Sequence, residues 1–242
     1  MKWHDRYTQQ ARWTRDLRNY LFEKAGWKNA PRVLEVGCGT GAILADLESS
    51  ALLHGLDLDR AALTQARIHA PRAALVNGDA LSLPYADFAF DITFCHFLLL
   101  WVRDPLQAVR EMVRVTRPHG FVIALAEPDY SQRVDQPNSL APLGRWQTES
   151  LRRQGANPSL GAHLAETFAQ AGIEIVETGT LQKSTREASL EERDQEWAVI
   201  EADLTGSVPG EDLHKMKLLD AQAWERGERV LFVPTYFALG RV

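Results

Sequence analysis

The chain has 242 residues, 27 Lys and Arg against 32 Asp and Glu, a formal net charge of -5, and 45% hydrophobic residues. That length suits one α/β unit with additional elements and a sizeable core, and the acidic balance excludes the broad basic face that a nucleic-acid partner needs. Two cysteines, Cys38 and Cys95, lie in apolar runs and read as neither a disulfide framework nor a metal site.

The N-terminal stretch is too polar for a signal peptide, and no apolar run is long enough to span a bilayer. A reducing cytoplasm is therefore the expected setting, with no membrane partner. Residues 3–25 read as an amphipathic helix with Trp13, Leu17, Tyr20 and Leu21 on one stripe. Residues 32–38 are an apolar run of strand length entering a glycine cluster, and 41–49 continue as a helix. Residues 52–57 form a second strand. Asp59 caps the next helix, which turns Leu63 and Ala66 inward and stops at Pro71. Residues 74–79 and 91–99 are the third and fourth strands. Asp104, Pro105 and Gln107 have the residue types of a helix start with a capping box, and Pro118 and Gly120 end that helix. Residues 121–126 are the fifth strand. Strands of this length alternating with helices predict a parallel sheet covered on both faces.

After Glu127 the rhythm changes. A helix is expected around 140–154, another at 160–170, a strand at 173–178, helices over 189–226 broken at Pro209 and Gly210, and a last strand at 231–239. The chain is read as one domain over 1–242. It comprises an N-terminal helix (1–30), a core (31–128) and two caps (129–159 and 189–226), neither able to bury a core alone.

The strongest signal is Val33-Leu34-Glu35-Val36-Gly37-Cys38-Gly39-Thr40-Gly41, a glycine-rich turn between strand and helix, where a ligand must approach the backbone closely. About 20 residues on, Asp57 ends the second strand, where a carboxylate accepts from ribose hydroxyls. Both features also fit a nicotinamide-dependent oxidoreductase. Glu35, two residues before the first glycine, would repel a diphosphate and tolerate a cationic cofactor. Asn77-Gly78-Asp79-Ala80-Leu81 places a second carboxylate at the end of the third strand.

Taken with the run from Phe90 to Trp101 and the segment from Val109 to Pro128, these motifs resemble the class I S-adenosylmethionine-dependent methyltransferases. The likeness is to the small-molecule branch similar to the quinone-biosynthesis C-methyltransferases, and it covers roughly residues 32–128. The resemblance implies a Rossmann-like, seven-stranded, mostly parallel sheet with the last strand antiparallel, helices on both faces and helical cap insertions. It implies S-adenosylmethionine as cofactor and S-adenosylhomocysteine as product. By position, Gly37, Gly39 and Gly41 would admit the methionine and ribose portions, Asp57 would bind the ribose, and Leu58 would pack on the adenine. Asp79 would meet the adenine amino group and the Ala80 amide its ring nitrogen. Glu35, Cys38 and Cys95 complete the expected cofactor set. The sequence departs from the family at His119, where a glycine is common.

His96 follows the fourth strand, where cofactor and acceptor meet, and is the candidate general base, with a loop-holding role as the alternative. Asp129 and Tyr130 are weaker candidates, and Glu127 is expected to serve the fold. Arg15, Arg18 and Gln10 could reach the methionine carboxylate from the N-terminal helix, but a solvated helix face is the expected place for them. Trp3, Trp13, Trp27, Trp146, Trp197 and Trp224 stand outside the sheet, where packing between cap helices is expected of most. The acceptor is expected to be a small, partly apolar molecule under the N-terminal helix and caps. A non-catalytic S-adenosylmethionine-binding protein remains the rival reading.

Overall fold

The computed structural model describes residues 3–29, 32–47, 51–181 and 188–242. The boundary drawn at 30 and 31, and the end of the helix expected at 41–49, lie outside the described residues. The strands are β1 (Arg32–Val36), β2 (Leu52–Asp57), β3 (Ala74–Asn77), β4 (Phe90–Cys95), β5 (Thr116–Pro128), β6 (Val134–Gln136), β7 (Glu174–Leu181), β8 (Val230–Phe232) and β9 (Thr235–Arg241). The helices are α1 (Trp3–Trp13), α2 (Arg15–Lys24), α3 (Ala42–Asp46), α4 (Arg60–His69), α5 (Pro105–Val115), α6 (Ala141–Arg153), α7 (Leu164–Gln170), α8 (Leu190–Leu204) and α9 (Gly210–Glu225).

Seven strands form one sheet in the order β3-β2-β1-β4-β5-β9-β7, and β6 pairs with β8 apart from it. The pairs from β3 through β5 are parallel, and β9 runs antiparallel to both β5 and β7. All six residues of β4 are buried, as a central strand covered on both faces requires. One face packs Leu34, Val36 and Val122 under Met112 of α5 and Phe168 of α7. The other packs Val33, Phe94 and Ile123 under Leu21 and Phe22 of α2, Leu44 of α3 and Leu63 of α4. The sequence pattern anticipated this architecture.

Three departures have local causes. The N-terminal helix divides at Thr14, whose hydroxyl turns back onto the carbonyls of Gln10 and Ala11 and reaches His96, a side-chain competition that bends helices. Tyr20, expected inside, is 47% exposed, and its hydroxyl donates to Glu177 (3.0 Å). The last strand splits, because Val230–Phe232 leaves the main sheet to pair with β6 before β9 begins at Thr235. At the α5 start, Asp104 accepts from the Gln107 amide (2.9 Å), but the Gln107 side chain donates to the Leu81 carbonyl, so the box is half formed. The complete capping box belongs to Ser189 and Glu192 at α8.

His119 has φ 64°, the left-handed conformation that suits glycine, and its amide donates to the Val242 carbonyl (2.7 Å) at the end of the chain. In β9, a Cβ on Gly240 would lie 2.0 Å from Ile173 Cγ2. Gly240→Ala should therefore destabilise the fold by roughly 1–3 kcal/mol through overpacking. Chemical denaturation checks this, and an unchanged midpoint would mean that Ile173 gives way freely.

Candidate active site

The glycine turn leaves β1 at its C-terminal end. Gly37, Gly39 and Gly41 have φ of 75°, 51° and 78°, conformations costly for any residue with a Cβ. The amides of Gly37 and Cys38 both donate to the Leu56 carbonyl (2.7 and 3.0 Å), which locks the turn to β2. Asp57 closes it, with Oδ2 accepting from the Gly39 amide (2.7 Å) and Oδ1 from the Asp59 amide (2.8 Å). Asn77 fixes the neighbouring strand end by donating to the carbonyls of Asp57 and Leu58 (3.0 and 2.8 Å).

A cavity of about 290 Å³ lies over this turn, and Glu35, Gly37, Cys38, Gly39, Asp57 and His96 all contribute to its wall. Glu35 is 2% exposed, and its Oε2 is buried without a hydrogen-bond partner. Burial raises the Glu35 carboxyl well above its usual range, against the opposing pull of Arg18. An orphaned acid beside a glycine cradle fits a cofactor with a cationic tail and a ribose, and does not fit a diphosphate.

The N-terminal helices roof this cavity, and they do so partly with polar side chains that residue type alone placed on a solvated face. Arg18, expected on a solvated face, is 1% exposed, ion-pairs with Asp46, and donates to the Ala11 carbonyl (3.0 Å). Arg15 does stay at the surface, also pairing with Asp46. Tyr7 packs against Gly39, and His4 Nδ1 contacts the Thr40 hydroxyl (2.8 Å) while its ring stacks on His69. Arg6 and Gln10 reach the cavity as well. These polar residues on a short helix carried no periodic signal.

At the exit of β4, Glu127 is fully buried and accepts from the amides of Leu98, Leu99 and Leu100 (3.0, 3.1 and 3.2 Å). Burial raises its carboxyl to about 7 despite those bonds. It serves the fold by shaping the turn under Phe97, whose φ is 53°. Asp129 is likewise satisfied locally, accepting from Ser131 and Gln132. His96 is partly buried; its Nε2 lies 3.0 Å from the Thr14 hydroxyl, and burial, with Arg18 nearby, lowers its pKa to about 3.

Five expected cofactor residues stand apart from the cavity wall. Leu58 is 72% exposed beside Asp57, and Asp79 is exposed with Oδ1 accepting from the Leu81 amide (2.9 Å), next to buried Ala80. Cys95 is fully buried, with its thiol 3.9 Å from Glu127. Gly41, the last of the five, packs against Ala66 and Ala70 of α4.

A second cavity, about 360 Å³, opens between α1, α8, α9 and β8. Trp13, Trp197 and Trp224 line it, so these three face a space, whereas Trp27 stacks on Phe22 and Trp146 packs into the cap. The two cavities share Arg6, Gln10, Phe97, Pro128 and Tyr130 as their common wall. A buried polar chain holds the cap over them. The Trp197 indole donates to Asp220 (2.7 Å), and Arg229 bridges Asp220 and Asp135 (2.6 and 2.8 Å). Arg133 joins Asp135 to Gln147, and Gln147 donates to Asp203 (2.7 Å) at the cavity over the glycine turn.

A Rossmann-like sheet with a glycine cradle, an acid closing it and a capped second chamber defines a nucleoside-cofactor enzyme class. A family profile described as a methyltransferase domain matches residues 34–124. The chain is 30% identical over 184 residues to the demethylmenaquinone methyltransferase of Lysinibacillus sphaericus, covering 68% of this chain and 77% of that one. It is 33% identical over 165 residues to the malonyl-acyl-carrier-protein O-methyltransferase of Erwinia pyrifoliae, covering 66% and 63%. The chain belongs to the class I S-adenosylmethionine-dependent methyltransferase family. It spans just under two thirds of the length of the Erwinia protein. Among solved structures, the phosphoethanolamine N-methyltransferase 2 of Haemonchus contortus, in complex with S-adenosyl-L-methionine, superposes with a TM-score of 0.62 at 17% identity, covering 93% of this chain and 52% of that one. The 4+2 cyclase SpnF matches with the same score at 21% identity, covering 93% and 79%. These two likenesses establish the fold alone.

Proposed function

We propose that the chain transfers a methyl group from S-adenosylmethionine to a small-molecule acceptor. The observation that carries this reading is the pair of chambers meeting at Phe97 and Tyr130, one over the glycine turn and the other under the cap. Bound there, S-adenosylmethionine supplies a methyl carbon already activated by its sulfonium. The protein's task is alignment and exclusion of water, which confinement between two walls provides.

In this reading Asp57 accepts from the ribose hydroxyls and the backbone at Gly37, Cys38 and Gly39 gives the cofactor room. Glu35 faces the cationic methionine end, while Leu58, Asp79 and Ala80 flank the adenine from the exposed strand ends. Gly41 shapes the turn from behind, and Cys95 seats the end of β4. Burial, with Glu196 nearby, raises the Tyr130 hydroxyl to about 12, so it stays protonated. It has no hydrogen-bond partner among the described residues and stands ready to donate to the acceptor. Both caps close on one site, as parts of a single domain. The formal net charge of -5 and the buried free thiols Cys38 and Cys95 favour a soluble metabolite in a reducing cytoplasm over nucleic acid. A methyl-transfer screen with labelled cofactor across metabolites, peptides and RNA tests the reading, alongside a nicotinamide titration. Transfer to RNA or protein alone, or tight nicotinamide binding, would overturn it. Tight cofactor binding without any turnover would favour the non-catalytic alternative.

His96 stays in the proposed site as a neutral ring. A group with a pKa near 3 is a poor proton acceptor at neutral pH. With the Thr14 hydroxyl donating to the Gln10 carbonyl (3.1 Å), Nε2 donates to Thr14 and ties α1 and α2 to β4. The rate should therefore show no His96-dependent inflection between about pH 5 and 8. A limb near pH 6–7 that disappears in His96→Ala would restore the general-base role.

A further inference from the structure

We propose that the tryptophan-lined chamber takes a planar aromatic acceptor bearing a carboxylate, and that Arg193 is the residue that grips the carboxylate. This rests on the reading of that chamber as the acceptor site.

Charge within the chamber is almost entirely paired. Arg6 is held by Glu196 (3.2 Å) and Gln9 (2.7 Å), and Arg229 by Asp220 and Asp135. Arg193, in the first turns of α8, differs. Its Nε donates to the Ala188 carbonyl (2.9 Å) and its guanidinium stacks 4.0 Å over the Trp224 ring. Neither terminal nitrogen has a partner among the described residues. Stacking fixes the plane, so these donors are presented edge-on, the arrangement that matches a carboxylate bidentately.

The indoles argue for the flat body and against a cationic one. Arg6 lies over Trp13 (4.8 Å), Arg193 over Trp224 and Lys217 over Trp197 (5.6 Å), so each ring already carries a cation. The chamber wall sets Arg6, Arg193 and Arg229 against Glu192, Glu196 and Asp220. Each of these carboxylates is already engaged, Glu192 by Ser189, Glu196 by Arg6 and Asp220 by Arg229, so a ligand ammonium would have to compete for its partner. Trp197 is also held in place by its bond to Asp220, giving a rigid wall on which a planar ring can stack.

Tryptophan fluorescence with the full chain, saturated with S-adenosylhomocysteine, tests the proposal using naphthoate, naphthamide and naphthyltrimethylammonium as probes. Naphthoate should bind at least about ten-fold more tightly than the other two. Arg193→Gln should abolish that preference, Arg193→Lys should retain part of it, and S-adenosylhomocysteine affinity should stay within about two-fold in both. Equal binding of the three probes by the wild-type chain, or a preference that survives Arg193→Gln, overturns it. The same titrations without S-adenosylhomocysteine separate the two readings: failure to bind the cofactor product would sink the methyltransferase proposal while leaving the anion preference measurable.

Discussion

Asp57→Ala is expected to weaken binding of S-adenosylhomocysteine by on the order of a hundred-fold. Hydrogen bonds to a charged group contribute about 1.5–3 kcal/mol each, and a ribose offers two hydroxyls to this carboxylate. The same oxygens hold the amides of Gly39 and Asp59, so the substitution also loosens the glycine turn itself. Asp57→Asn keeps one acceptor oxygen and should fall between the two. Isothermal calorimetry on folded protein is the check, and an affinity within two-fold of wild type would remove Asp57 from the site.

Asp135→Ala should cost about 3–5 kcal/mol of stability, the range for breaking a buried ion pair from one side. Asp135 stands between Arg133 Nε (2.7 Å) and Arg229 Nη2 (2.8 Å), with every side chain in the trio 1–2% exposed. Arg229 would keep Asp220, but Arg133 would keep only Gln147. The loss should concentrate in the cap. Tryptophan fluorescence, which Trp197 and Trp224 report from there, should melt before the far-ultraviolet signal of the sheet. A loss below about 1 kcal/mol, or coincident melting, would show that the trio contributes little.

The sheet was legible because buried parallel strands are continuous apolar runs and their helices carry caps such as Asp59 and Asp104. The turn was legible because Gly37 and Gly39 need left-handed backbone, a requirement written directly in residue type. What escaped reading depends on pairing across long separations. Arg18 looks like a surface residue until Asp46 and Glu35 are brought beside it, and Arg6 until Glu196 closes on it from 190 positions away. The β6–β8 pair joins two three-residue strands, too short to show alternation. Three tryptophans could be assigned to a chamber only after α8 and α9 had been placed around it. Leu58 and Asp79 matched by motif and remain at the exposed edge, outside the wall of the cavity over the glycine turn.

The polar chain through the cap also constrains how this protein can diverge. Trp197, Asp220, Arg229, Asp135, Arg133, Gln147 and Asp203 span α6, α8, α9 and the strands between them. Replacing one member strands its neighbours, so single substitutions there meet a fitness valley that only paired changes cross. Arg193 and Trp224 face the same chamber but take no part in the chain. Drift in acceptor preference is therefore channelled to those positions, which can vary one at a time while the scaffold around them stays fixed.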